Sequence, residues 1–103
     1  MQPEKQKGKI IQIIKLKSEL NEDEILRIAR EREPQFQAIP GLLQKYYVKT
    51  KPPYHVAGIY IWDSMESLKT YRESDLATSI PKAYKLIEPP YIEIMDVMFQ
   101  LRE

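Results

Sequence analysis

Four segments of this chain carry large apolar, aromatic or β-branched residues in both alternating sets, while the two segments between them carry apolar residues at helical spacing. A strand turns successive side chains to opposite faces, so a segment apolar in both sets needs cover on both sides of its sheet. Lys9–Lys17 reads KIIQIIKLK, with Ile10, Ile14 and Leu16 in one set and Ile11 and Ile13 in the other. Leu42–Thr50 follows the turn signal Pro40-Gly41, and His55–Trp62 and Tyr91–Leu101 complete the four. Pro52 and Pro53 cannot donate to a ladder, which makes their surroundings the loop of a hairpin.

The intervening segments read as helices. Asn21 and Glu24 have capping-box spacing, and acidic residues 22–24 precede Arg27, Arg30 and Arg32 in the sense that suits a helix dipole. Ile25, Ile28, Ala29, Arg32 and Phe36 form one stripe, and Pro34 predicts an end to the regular helix near Glu33, giving helix 22–33 with a looser extension towards Ala38. Asp63 and Glu66 repeat the capping-box spacing ahead of a stripe of Met65, Leu68 and Tyr71. Ser74-Asp75 restarts a short helical turn that Pro81 interrupts, and Pro89-Pro90 resets the chain before the last strand. The order βαββαβ, with short connections and right-handed crossovers, predicts an α+β ferredoxin-like sandwich: a four-stranded antiparallel sheet with both helices on one face. The other face would be a large apolar patch on a monomer. A second copy of the chain is expected to cover it.

At 103 residues, 43% hydrophobic and 30% charged, the chain has the recipe of one soluble globular domain over 1–103, with a flexible N-terminus at 1–8. No cysteine is present, which removes disulfides, thiolate metal sites and a cysteine nucleophile; His55 alone cannot build a zinc site, so no metal is expected. No apolar stretch approaches the ~20 residues of a membrane span, and nothing follows the N-terminal lysines that resembles a signal core, so the protein is expected in the cytoplasm. Formal charge is +1 with no polybasic run, which argues against nucleic acid as a partner. RNA-recognition motifs share the βαββαβ order, but here the first strand has no aromatic and the third no basic leader. The three glycines are isolated, so there is no phosphate cradle. A small-molecule pocket or an interaction module remains.

PGLLQKYYVKT from Pro40, then AGIYIWDSMESLKTY ending at Tyr71, resembles the YdhR-like monooxygenases, a branch of the dimeric α+β barrel superfamily that also holds the antibiotic-biosynthesis monooxygenases. The resemblance implies two ferredoxin-like subunits packed sheet to sheet and a pocket in each between sheet and helices. It further implies oxygenation of electron-rich aromatic substrates without a cofactor. Gln44 and Tyr47 stand where the family tends to have tryptophans, and Ala57-Gly58 where it has paired glycines, which changes the pocket lining.

Trp62 ends the third strand, where its ring could wall a pocket and its indole N–H meet a substrate oxygen; equally, it could seal the strand–helix corner. Tyr60 shares its face, and its phenol is a candidate donor to a substrate carbonyl; Tyr47 and Tyr71 are further candidates for substrate binding. His55 is the one side chain whose ordinary pKa lies near neutrality, hence the candidate general base, or else a solvated residue at a strand start. Gln12 is either an interface amide or a pocket hydrogen-bonder, and Glu93 and Asp96, on opposite faces of the last strand, need an exposed edge or a basic partner. Oxygenation without flavin or metal needs a substrate able to give an electron to oxygen itself, such as a phenolate or an anthrone carbanion. The protein would deprotonate it, hold it and exclude water. The rival is a non-enzymatic homodimeric ligand-binding or interaction module whose tyrosines merely pack.

Overall fold

In the computed structural model, which describes residues 9–102, the four apolar segments form one antiparallel sheet of order β2-β3-β1-β4. The elements are β1 (Ile10–Leu16), α1 (Glu22–Gln37), β2 (Leu42–Lys49), β3 (Val56–Trp62), α2 (Met65–Arg72), α3 (Asp75–Thr78), α4 (Ile80–Ala83) and β4 (Tyr91–Asp96). This is the ferredoxin-like fold. The N-terminal stretch 1–8, expected to be flexible, lies outside the described residues.

β1 lies at the centre because its two edges pair with β3 and β4. Directly paired residues share a face, so Ile10, Gln12, Ile14 and Leu16 stand with Gly58, Tyr60 and Trp62 on the helix side. The core assembles there. Ile25, Ala29 and Phe36 of α1 and Leu68 and Tyr71 of α2 pack against Trp62 and Tyr60, and each large apolar side chain so buried contributes roughly 1.5–3 kcal/mol. On the opposite face, Ile11, Ile13, Ile59 and Ile61 are only half-buried, and Tyr46, Tyr91 and Met95 are exposed. The helices thus leave one apolar sheet face uncovered in the single chain.

The capping box of α1 forms in full: the Glu24 amide donates to Asn21 Oδ1 at 2.8 Å, and the Asn21 amide donates to Glu24 Oε1 at 3.0 Å. Four sequence expectations are corrected. Helix α1 does not stop near Glu33 but runs through Pro34 to Gln37, because the final turn docks Phe36 between the rings of Tyr60 and Tyr71, at 6.4 and 6.0 Å between centroids. That burial offsets the ~3 kcal/mol that proline costs inside a helix. The cap of α2 is Ser64 rather than Asp63: Ser64 Oγ accepts from the Ser67 amide at 3.2 Å, while Asp63 Oδ1 accepts from the hydroxyls of both serines. Pro81 opens α4 instead of interrupting a helix, since an amide in a first turn has no helical partner to lose. Finally, β4 ends at Asp96 and not at Leu101. Its partner residue there is Ile10, the first residue of β1; beyond it the Val97 amide donates to Lys9 O at 3.1 Å and Lys9 Nζ to Gln100 Oε1 at 3.0 Å.

Candidate functional site

A β-bulge decides what faces the helices from β2. Leu42 pairs with Trp62, but the register shifts between Leu42 and Gln44, so that Lys45 pairs with Tyr60 and Tyr47 with Gly58. An extra residue in one strand reverses the alternation beyond it. Lys45, Tyr47 and Lys49 therefore turn to the helix side, and Gln44, Tyr46 and Val48 to the open side.

Between these residues and α1 lies a cavity in which the centre of a water molecule can sweep about 100 Å³, several times the ~10–15 Å³ that one water requires. Ile14, Ile25, Ala29 and Ile80 supply its apolar lining, Phe36, Tyr47, Tyr60 and Tyr84 its aromatic walls, and the half-buried Lys45 its amine. At Gly58 the room exists because a side chain is missing: a Cβ there would stand 2.9 Å from Tyr60 Cε1 and 3.3 Å from Lys45 Cε.

Lys45 Nζ sits 3.4 Å from the ring centroid of Phe36, 4.4 Å from that of Tyr47 and 4.5 Å from that of Tyr60. Burial, aided by the Arg32 guanidinium, brings its pKa down from 10.5 to about 7. Ring faces attract an ammonium, so the cage works against that fall. Lys45 is a group able to take or give a proton near neutral pH in a mostly apolar space. The phenols differ. Burial raises Tyr60 well above the usual tyrosine value, and raises Tyr84 and Tyr71 to about 12. These three are hydrogen-bond donors at neutral pH, not bases.

Of the residues singled out from sequence, Tyr47 and Tyr60 line the cavity. Tyr71 stands behind Tyr60, the two hydroxyls 3.3 Å apart, and does not reach the lining. Trp62 is fully buried; its indole stacks on Tyr60 at 6.0 Å with 5° between the planes, and its Nε1–H donates to Gln12 Oε1 at 3.0 Å. That hydrogen bond occupies the N–H expected to meet a ligand; Gln12, itself buried, also lines a separate cleft beside Tyr71, Ile80 and Ile92. His55 is exposed at the entry to β3, where Nδ1 accepts from the Ser18 amide at 3.0 Å, and it lies outside the cavity lining. Glu93 and Asp96 are both exposed on β4, on opposite faces. Lys45 was not legible in advance: a lysine beside Gln44 in a strand reads as solvated, and only the bulge turns it inward.

Sheet order, helix placement and cavity together define a ferredoxin-like α+β domain with a cavity between sheet and first helix. No family model matches the chain, and no curated protein matches its sequence. Among solved structures it is similar to SnoaB, a cofactor-independent oxygenase from Streptomyces nogalater, with a TM-score of 0.73 at 10% identity over 93% of this chain and 99% of that one. A candidate antibiotic biosynthesis monooxygenase from Bordetella bronchiseptica gives 0.74 at 15% identity, covering 90% and 100%. A dimeric ferredoxin-like protein of unknown function from Thermobifida fusca gives 0.69 at 12%, covering 88% and 93%. At these identities the shared property is the fold. No helix among the described residues is long and apolar enough to cross a membrane.

Proposed function

We propose that this chain is a single dimeric α+β barrel domain of the YdhR-like monooxygenase kind, cytoplasmic, which oxygenates a small aromatic substrate without a cofactor in the cavity between sheet and helices. The observation that carries this reading is the placement of Lys45: one amine, its pKa brought down by burial, set among Phe36, Tyr47 and Tyr60 in a mostly apolar cavity. The general base expected at His55 is better placed at Lys45, because His55 lies outside the lining. The fold shared with a cofactor-independent oxygenase supports the choice of reaction.

The chemistry balances with oxygen as the sole co-reactant. Neutral Lys45 removes a proton from an activated CH2 of an anthrone-type substrate, and the carbanion passes an electron to O2. Recombination forms a C–O bond, and the ammonium returns its proton to the resulting peroxide. Loss of the second C–H proton then breaks the O–O bond and leaves C=O and water. The substrate supplies all four electrons that reduce O2. Tyr60 and Tyr84, held protonated, donate hydrogen bonds to the developing oxyanion, and the apolar walls keep water from the carbanion.

The uncovered face, with exposed Tyr46, Tyr91 and Met95, supports a second copy packing sheet to sheet; an apolar surface of that kind is rare on a monomer. Oxygen consumption across a panel of anthrones and quinols tests the activity. Uptake that falls at least tenfold in Lys45→Met supports oxygenation at this site. Binding of panel members with no uptake by the unmodified protein assigns the cavity to a ligand-binding module instead.

A further inference from the structure

Lys45 is a cation without a counter-ion. Among the described residues its Nζ has no carboxylate within ion-pair distance, and the nearby carboxylates are held elsewhere: Glu22 pairs with Lys49 at 3.5 Å at the rim of the cavity, and Glu33 with Arg30 at 3.2 Å on α1. The second cation facing this region, Arg32, spends its Nη2 on two neutral acceptors, Leu76 O at 2.8 Å and Ser79 Oγ at 2.9 Å. Its Nε is buried with no hydrogen-bond partner. The remaining groups that face Lys45, the phenols of Tyr47 on β2, Tyr60 on β3 and Tyr84 after α4, are pushed by burial towards their neutral form. Among the described residues, therefore, no carboxylate pairs with either cation on the side of the cavity towards α1, although Glu22 lines its rim.

We propose that the cavity selects ligands with one acidic oxygen, a carboxylate or an acidic phenol or enol, on an aromatic body, and that Lys45 determines this specificity by forming an ion pair with that oxygen. This rests on the cavity being the ligand site, as read above. The rings flanking Nζ accept the aromatic body, and the open space at Gly58 lies beside the amine. A neutral acid that transfers its proton to Lys45 and a carboxylate that meets Lys45 already charged reach the same pair. Low dielectric strengthens the pair, and no carboxylate has to be displaced first.

The two cases differ in proton count, which makes the proposal testable. A carboxylate binding above neutral pH must recruit a proton onto Lys45, so its affinity falls about tenfold for each pH unit above the pKa of the free amine. Calorimetric titration of the full chain with 2-naphthoate, and with the neutral isostere 2-naphthamide, at pH 7, 8 and 9 in phosphate and Tris reads both affinity and proton uptake. The expected result is about tenfold weaker naphthoate binding per pH unit, proton uptake approaching one per ligand at pH 8, and no pH dependence for the amide. Lys45→Arg keeps a charge that does not titrate, and should bind naphthoate with no pH dependence. Lys45→Met should lose at least tenfold for naphthoate at pH 7 while retaining the amide. Equal, pH-independent binding of both ligands overturns the specificity claim and leaves the cavity as the site. Binding of neither overturns the cavity reading and the specificity with it.

Discussion

Replacing Lys45 with methionine should stabilise the protein at neutral pH and lose that advantage in alkali. The amine falls from 10.5 to about 7 on folding, so between those limits the unfolded chain binds a proton that the native state does not. Stability must then rise with pH across this window, and the full cost of the lysine applies below about pH 7. At about 1.4 kcal/mol per pH unit, that cost is about 5 kcal/mol. Against it stands the loss of an ammonium over three ring faces, worth about 0.5–1 kcal/mol each. Methionine keeps the length and makes its own contacts with the rings of Phe36, Tyr47 and Tyr60, so a net gain of about 2 kcal/mol at pH 7 is expected. In a domain of this size that is a rise in Tm of about 10 °C. Urea unfolding followed by far-UV circular dichroism at pH 7, 8.5 and 10, at one protein concentration, measures it directly. The parent should gain about 3.5 kcal/mol between pH 7 and pH 10, so the difference between variant and parent should pass through zero near pH 9 and change sign by pH 10. Parallel stability curves for the two proteins across this range would refute the account of Lys45.

Other perturbations probe the frame around the site. Trp62→Phe leaves Gln12 Oε1 buried without its indole donor and should cost about 2–4 kcal/mol by chemical denaturation; Gln12→Met added to it should recover part of that loss. Gly41→Ala should cost about 2–4 kcal/mol, because Gly41 has φ +83° and an added Cβ would run into the Ser67 side chain and stand 2.7 Å from Asp63 Oδ1. His55→Ala removes one acceptor from the Ser18 amide at a partly solvated site; about 1 kcal/mol of stability should go, with oxygen uptake unchanged. Ile61→Lys places a charge on the uncovered sheet face and should give a folded monomer in light scattering, where the proposed assembly predicts a dimer for the parent.

Much of the frame is written locally. Asn21 and Glu24 announce the start of α1 because a capping box needs only neighbours three residues apart, and the stripe Ile25, Ala29, Phe36 announces its buried face. Alternating apolar residues in β1 place a strand with two apolar sides, and a thin helical layer can cover one of them. Local rules mislead where a distant partner outweighs them. Pro34 ends no helix because Phe36 has aromatic rings to dock on, and β4 stops at Asp96 because its neighbour β1 begins at Ile10.

The candidate site belongs to this second category. From sequence the aromatic strand residues were visible, but which of them face a cavity depends on the register between β2 and β3. With an unbroken alternation from Leu42, Tyr46 and Val48 would point at α1 and Lys45 at the open face; the single bulge exchanges them. Trp62 and Gln12, 50 positions apart, meet only because β1 and β3 are adjacent, and their hydrogen bond engages the indole N–H of the most conspicuous residue of the chain inside the core. The sequence by itself determined the order of elements, the caps and the two-sided hydrophobicity of the sheet, all of which follow from interactions within a few residues. Tertiary structure alone decided that a lysine would be the group held in the aromatic cavity. That choice rests on strand register and on the burial and charge imposed by α1, neither of which exists until the sheet has formed.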